Sequence, residues 1–256
     1  MKRVFRLLAS WFAGLVGLKL SHLFPSPSKF FLLRKLKACL DLSSGMSVGV
    51  DVACADFKYR DMFKTQRYVG IDLDRDNLTK GLALRARPDD VGILANLLHL
   101  EKVPPFADVL VSTHTIASLP ADQQVYAVHV LAGAVLPNGT LFVNIPTTDQ
   151  GMFLENELRN RFGAVSRTGY GNPVFMKIED FFAYRTGSKN PLALAAVGLA
   201  SVLCYLLSFL EELRVFRFHG VYTLFYCRNR RGDETEERFG PIKALSQLCI
   251  VSPLSE

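Results

Sequence analysis

The sequence predicts an α/β protein: a doubly wound, mostly parallel sheet of seven strands. Three observations carry this expectation. Short β-rich runs alternate with segments of helical character from Val48 onward. Turn signals such as Ser43-Ser44-Gly45 and Pro137-Asn138-Gly139 punctuate them. The 256 residues, 49% of them hydrophobic, suffice for one sizeable core and leave no room for two full domains.

In chain order, Phe30 to Leu40 follows Pro25 and Pro27 and reads as a basic helix that Ser43-Ser44-Gly45 breaks. Val48-Gly-Val-Asp-Val is the first strand, Arg60 to Lys64 a polar connection or short helix, and Tyr68-Val-Gly-Ile-Asp the second strand. Asn77 to Arg85 forms the next helix, with Asp76 as its N-cap. Val91-Gly-Ile-Leu-Ala and Asp108-Val-Leu-Val-Ser are the third and fourth strands. Ala121 to Leu136 is an amphipathic helix through Val125, Val128, Leu131 and Val135, ended by Pro137-Asn138-Gly139 before the fifth strand, Thr140-Leu-Phe-Val-Asn-Ile. Ala164 to Thr168 and Val221 to Cys227 complete the sheet. The main domain therefore spans 45–228. Residues 1–44 form a basic amphipathic N-terminal arm, 173–218 an apolar helical insertion before the last strand, and 229–256 a loosely held tail.

The net charge of +6 is concentrated at the front. Residues 1–40 carry Lys2, Arg3, Arg6, Lys19, Lys29, Arg34, Lys35 and Lys37 and no acid, whereas the remainder sums to −2. A near-neutral main domain argues against a nucleic-acid channel, and a basic arm points to an anionic membrane surface. The uncharged run at 7–18 is too short to span a bilayer, for which about 20 apolar residues are needed. Phe5, Leu8, Phe12, Leu15 and Val16 share one helical face, the pattern of an in-plane amphipathic helix. Pro191 to Leu210 has no charge and the length of a span, but it lies between two strands of one sheet, so a single crossing would separate them. It is expected to be a cap that touches lipid or an ordinary buried helix. The five scattered cysteines form no C-x-x-C pair, so neither a disulfide framework nor a metal site is expected. A cytoplasmic protein, peripheral on the inner face of the membrane, is the expectation.

In doubly wound sheets a ligand binds beyond the carboxyl ends of the strands, next to the first one. That exit reads Val50-Asp51-Val52-Ala53-Cys54-Ala55-Asp56-Phe57, and Gly70-Ile71-Asp72 closes the second strand with a carboxylate spaced to grip ribose hydroxyls. Ala95-Asn96-Leu97 ends the third strand, Val103-Pro-Pro-Phe-Ala-Asp leads into the fourth and Leu136-Pro-Asn-Gly-Thr-Leu into the fifth.

These five segments, in this order and spacing, resemble the class I, Rossmann-like S-adenosylmethionine-dependent methyltransferases, particularly those acting on small molecules and lipids; the resemblance covers the whole main domain. It implies S-adenosylmethionine as cofactor, held by Asp51, Ala53, Cys54, Ala55, Asp72, Leu73, Asn96, Leu97 and Thr113, with Asp72 at the ribose and Asn96 beside the adenine. Where that family has a Gly-x-Gly-x-Gly turn, this chain has Ala53, Ala55 and Phe57. Glycine supplies positive φ and lets the backbone approach a ligand. Alanine is a mild change; the Phe57 ring must point away or partly fill the pocket of the methionine moiety.

Methyl transfer needs alignment more than acid–base machinery. His114, just past the fourth strand, is the best-placed titratable residue to act as general base or to position an acceptor. Thr147, Thr148, Asp149 and Tyr170, with Asn172 and Tyr184, are candidates for the acceptor side, whereas His99 and His129 are expected to be structural or solvated. The function expected is a membrane-associated methyltransferase acting on a lipid, quinone, glycolipid or lipid-linked sugar. Two alternatives are a non-catalytic binding or scaffold protein that has lost the cofactor, and an NAD-dependent oxidoreductase, which the absence of Gly-x-Gly-x-x-Gly disfavours.

Overall fold

The computed structural model describes residues 27–147, 151–172, 199, 202–210, 220–231 and 249–251. The N-terminal amphipathic helix, Thr148, Asp149, Tyr184 and residues 173–198 of the apolar insertion lie outside them.

Eight strands form one sheet in the order β6 (Phe162–Tyr170), β7 (Tyr222–Arg230), β5 (Val135–Pro146), β4 (Ala107–Ser112), β1 (Val48–Val52), β2 (Arg67–Asp72), β3 (Val91–Leu94) and β8 (Cys249–Val251). The ladders β1–β2, β1–β4, β2–β3 and β4–β5 are parallel. Backbone bonds from Arg231 to Arg161 and from Val221 to Gly171 pair opposite ends of β6 and β7, which makes that pair antiparallel. Helices α1 (Pro27–Leu42), α2 (Arg75–Arg85), α3 (Ala121–Ala134) and α4 (Gly151–Arg161) complete the described architecture. All five residues of β1 are buried, as expected of a strand covered on both faces. Val50, Val69, Ile93, Leu110 and Leu141 carry the core from strand to strand.

The seven expected strands are present, and a short eighth from the C-terminal segment pairs antiparallel with β3 through Ile93 and Ile250. Two local expectations are corrected. Asp74, in extended conformation, caps α2 by accepting from the amides of Asp76 and Asn77, so Asp76 is already helical. Helix α3 stops at Ala134, because Val135 pairs with Ala107 and enters the sheet; Pro137, Asn138 and Gly139 lie inside β5, where the register shifts and Asn138 turns to φ 64°.

The chain divides into two compact units, Cys39–Arg167 with Leu224–Glu256, and Met1–Ala38 with Thr168–Thr223. The first contains the parallel core. In the second, Phe31 stacks on Tyr170 at 5.5 Å and Tyr170 on Tyr222 at 5.7 Å. Phe30 meets Tyr205 edge-on, while Arg34 lies 3.8 Å over the Phe209 ring and donates to the Ser208 carbonyl at 2.9 Å. Among the described residues no helix is long and apolar enough to cross a membrane.

Candidate functional site

The strand order reverses at β1, whose neighbours are β2 on one side and β4 on the other. This places a crevice beyond the carboxyl ends of β1 and β4, where ligands bind in such sheets. The loop leaving β1 has a distinctive backbone: Ala53, Ala55 and Phe57 all adopt left-handed conformations, with φ 62°, 50° and 61°. L-residues avoid this region because Cβ crowds the following carbonyl, at roughly 1–2 kcal/mol per residue. Alternate residues of this loop therefore hold the geometry glycine would supply, without glycine.

Several contacts impose that shape. The amides of Ala53 and Cys54 donate to the Ile71 carbonyl at 2.8 and 3.2 Å, and the Ala55 amide donates to Asp72 Oδ2 at 2.7 Å. Asp56 pairs with Arg85 of α2 at 3.1 Å. The Phe57 ring settles the alternative left open by the sequence: it is fully buried and turned into the core. A Cβ built on Gly70 would lie 2.5 Å from this ring, one on Gly81 2.7 Å and one on Gly92 3.6 Å. Three glycines from β2, α2 and β3 thus form the slot that the ring fills. Tyr68 packs edge-on against both Phe57 and Phe63 at 5.0 Å.

Beneath the loop lies a buried polar network. The Tyr68 hydroxyl donates to Asp51 Oδ2 at 3.0 Å, and the Arg60 guanidinium sits 5.3 Å from the Tyr68 ring while pairing with buried Asp90. Asp90 also accepts from the amides of Tyr68 and Arg87. Asp51 is 1% exposed, and burial pushes its carboxyl up to about 7, opposed by Lys58 and the Tyr68 hydrogen bond. Its Oδ1 is buried with no hydrogen-bond partner among the described residues. Burial works against the Lys58 ammonium, but Tyr59 and Asp51 outweigh it and raise its pKa; its Nζ lies 4.8 Å over the Tyr59 ring. Burial holds the Tyr68 hydroxyl well above the usual phenol range, with Asp51 adding to the effect, so it remains a donor.

Asp72 closes β2 in a half-buried position and accepts from Asp74 through Oδ1 as well as from Ala55 through Oδ2. A carboxylate offers about four acceptor positions, so capacity for hydroxyl donors remains. Leu73 beside it is exposed, whereas Leu97 is buried at the start of the 3-10 turn that Asn96 caps by accepting from Leu98 at 3.0 Å. Cys54 is buried, and burial pushes its thiol far above the usual range, which makes it an inert group. Thr113 is buried and donates to the Tyr59 hydroxyl at 3.2 Å. His114 is exposed, with φ 61°, and its amide donates to Asn144 of β5 at 2.6 Å. Thr147 follows β5, while Tyr170 belongs to the aromatic stack of the other unit. His99 is exposed on its turn, and His129 joins Glu157 at 3.0 Å on the helical surface.

The structure brings Asp51, Ala53, Cys54, Ala55 and Asp72 together through the loop contacts, and Thr113 joins them through Tyr59. Sequence reasoning missed Lys58, Tyr59, Tyr68 and Asn144. It also missed the slot, although Gly70, Gly81 and Gly92 recur at intervals of eleven residues.

No protein-family model matches the sequence, and no curated protein matches it. Solved structures do. The methyltransferase assignment in a complex with the Haloferax volcanii Trm112 methyltransferase activator belongs to one such match, with TM-score 0.52 and 11% identity over 81% of this chain and 92% of that one. The [4+2]-cyclase SpnF matches with TM-score 0.50 and 12% identity, over 78% of this chain and 82% of that one. The fold is that of the class I methyltransferases. SpnF's description as a cyclase shows that this fold hosts more than one chemistry, so function must be argued from the site.

The residues present fit an S-adenosylmethionine-like ligand. Asp51 Oδ1 is buried with no hydrogen-bond partner among the described residues, Asp72 keeps acceptor capacity for hydroxyl donors, and the loop between them is left-handed.

Proposed function

We propose that the chain is an S-adenosylmethionine-dependent methyltransferase, peripheral on the inner, cytoplasmic face of a membrane, whose acceptor is a lipid, quinone, glycolipid or lipid-linked sugar. The observation that carries the catalytic reading is the left-handed backbone at Ala53, Ala55 and Phe57 between two aspartates. The chain's own contacts, from the amides of Ala53 and Cys54 to Ile71, from Ala55 to Asp72 and from the Phe57 ring to its slot, hold this strained backbone in the curvature a nucleoside cofactor would need. The apolar insertion and the basic arm support a greasy acceptor at an anionic surface.

Bound S-adenosylmethionine supplies a methyl group already activated on a sulfonium. Asp72 would orient the nucleoside, Asp51 and the loop would hold the amino-acid end, and the loop's seating in the core would fix both. His114, at the exit of β4, either accepts a proton from a hydroxyl acceptor or positions the acceptor. Thr147, Thr148 and Asp149 follow β5, where an acceptor would dock.

The test is incubation of the full chain with methyl-labelled S-adenosylmethionine and either a membrane lipid extract or an aqueous metabolite extract. Label entering the organic phase is expected. Label transferred to the aqueous extract alone would overturn the acceptor class. Transfer to neither, with no cofactor binding by the folded chain, would favour the second reading, a non-catalytic binding or scaffold protein that has lost the cofactor; the alanine Cβ atoms at two loop positions are the observation in its favour.

A further inference from the structure

The two units differ sharply in charge. Met1–Ala38 with Thr168–Thr223 contains 13 Lys and Arg against 4 Asp and Glu, a net +9, whereas the remainder of the chain is net −3. The basic unit also carries an apolar surface. Residues 199–210 contain no charged side chain. Along 202–207, which is helical, and the turn that follows, Cys204 and Ser208 are buried at 1% and 0% exposure. On the opposite face Leu199, Leu203, Leu206 and Phe209 are 75%, 56%, 59% and 46% exposed. Leu203, Leu206 and Phe209 follow one another at three-residue spacing on one side, and Leu199 lies four residues before Leu203 in the sequence. The helix thus has a side that packs toward Phe30 and Arg34, with the Arg34 guanidinium also covering one face of the half-exposed Phe209 ring, and an apolar side that faces outward through Leu203 and Leu206.

A stripe of large apolar side chains on a surface marks an interaction site. The partner must accept both uncharged hydrocarbon and a strong positive field. A bilayer containing anionic lipid offers both, since its headgroups attract basic residues at about 1 kcal/mol each and its acyl boundary buries apolar side chains. A second copy of the chain would bring a second +9 unit against the first, which the charge opposes.

We propose that Leu199, Leu203, Leu206 and Phe209 form a membrane-insertion stripe, and that the unit carrying them docks the protein on anionic lipid. This deepens the peripheral-membrane part of the proposed function but does not depend on methyl transfer. The stripe inserts at the headgroup–acyl boundary, and the unit's net positive charge draws it to anionic lipid.

Flotation of the full chain with vesicles of phosphatidylcholine alone, or with about 30 mol % phosphatidylglycerol, tests it. The parent should float with the anionic vesicles and be largely released by about 0.5 M salt. L203E/L206E should lower partitioning by about tenfold or more, while L84E, at an exposed leucine of the other unit, should not. Both replaced leucines are exposed, so circular dichroism and the melting temperature should match the parent. Equal flotation of L203E/L206E and parent would overturn the proposal and mean that the stripe is covered by the chain itself. Loss of a dimer on the same substitution, without vesicle binding by the parent, would also overturn it and assign the stripe to self-association. Binding to lipid with no methyl transfer would leave this inference standing and overturn only the catalytic reading.

Discussion

Left-handed backbone occurs at Asn138 and Asn229 as well as at Ala53, Ala55 and Phe57, and the contrast is instructive. Asparagine is enriched at positive φ because its short polar side chain bonds locally, so at 138 and 229 the residue suits the backbone. At the β1 exit neither alanine nor phenylalanine does. There the surroundings impose the conformation: amides tied to Ile71 and Asp72, an ion pair from Asp56 to α2, and a ring set in a slot of three glycines. At this site the glycines lie in the slot that receives the ring and not in the loop itself.

This contrast can be broken most severely at the ring. F57A should lower the unfolding free energy by about 3–5 kcal/mol in urea titration, because the slot would be left empty, and should weaken cofactor binding along with it. N138G, at a residue suited to its conformation, should change stability by only a few tenths of a kcal/mol.

The next effect is electrostatic. Burial raises the Asp51 carboxyl from its ordinary 3.8 to about 7, so the folded state favours the protonated form. Its stabilisation is present below about pH 4 and is lost as pH rises through 7. The parent's stability relative to D51N should therefore fall between pH 4 and 7, by up to about 4 kcal/mol. Cofactor affinity should move the other way, rising as the carboxylate ionises to meet an ammonium, and D51N should flatten that rise in calorimetry.

Gly81 and Gly133 offer a smaller, sign-reversing comparison. Both are helical, and glycine to alanine inside a helix ordinarily gains about 1 kcal/mol. G133A should show that gain, since a Cβ there meets nothing within 4 Å. G81A should instead cost about 1–3 kcal/mol by meeting the Phe57 ring and the Asp56 backbone, and much of that loss should vanish in F57A/G81A. Comparable to the G133A gain, A53G and A55G should each gain about 1 kcal/mol in melting experiments through relief of strain, whereas alanine to glycine at unstrained positions destabilises.

Much of this fold was legible in the sequence because parallel strands are short, apolar and punctuated. Val48 to Val52 is bounded in the structure as the residues suggest. The start of β5 was not, since Val135 continues the helical spacing of α3 but is claimed by pairing with Ala107, a tertiary contact that no local pattern reveals. Likewise Cys249 to Val251 is too short and too far along the chain to be read as an edge strand. At the site, Asp51 and Asp72 were visible through spacing. The backbone of the intervening loop was not, because its residues contradict the conformation they adopt, and Tyr68, Arg60 and Asp90 meet only once β2 and β3 are side by side.

The central claim is that a loop without glycine still holds a nucleoside cofactor. Calorimetry of the folded full chain with S-adenosylmethionine tests it most directly, with D72A as the comparison. The account predicts one-to-one binding by the parent, tightened in A53G/A55G and lost in D72A. Absence of binding in both the parent and A53G/A55G, with their melting transitions intact, would contradict it.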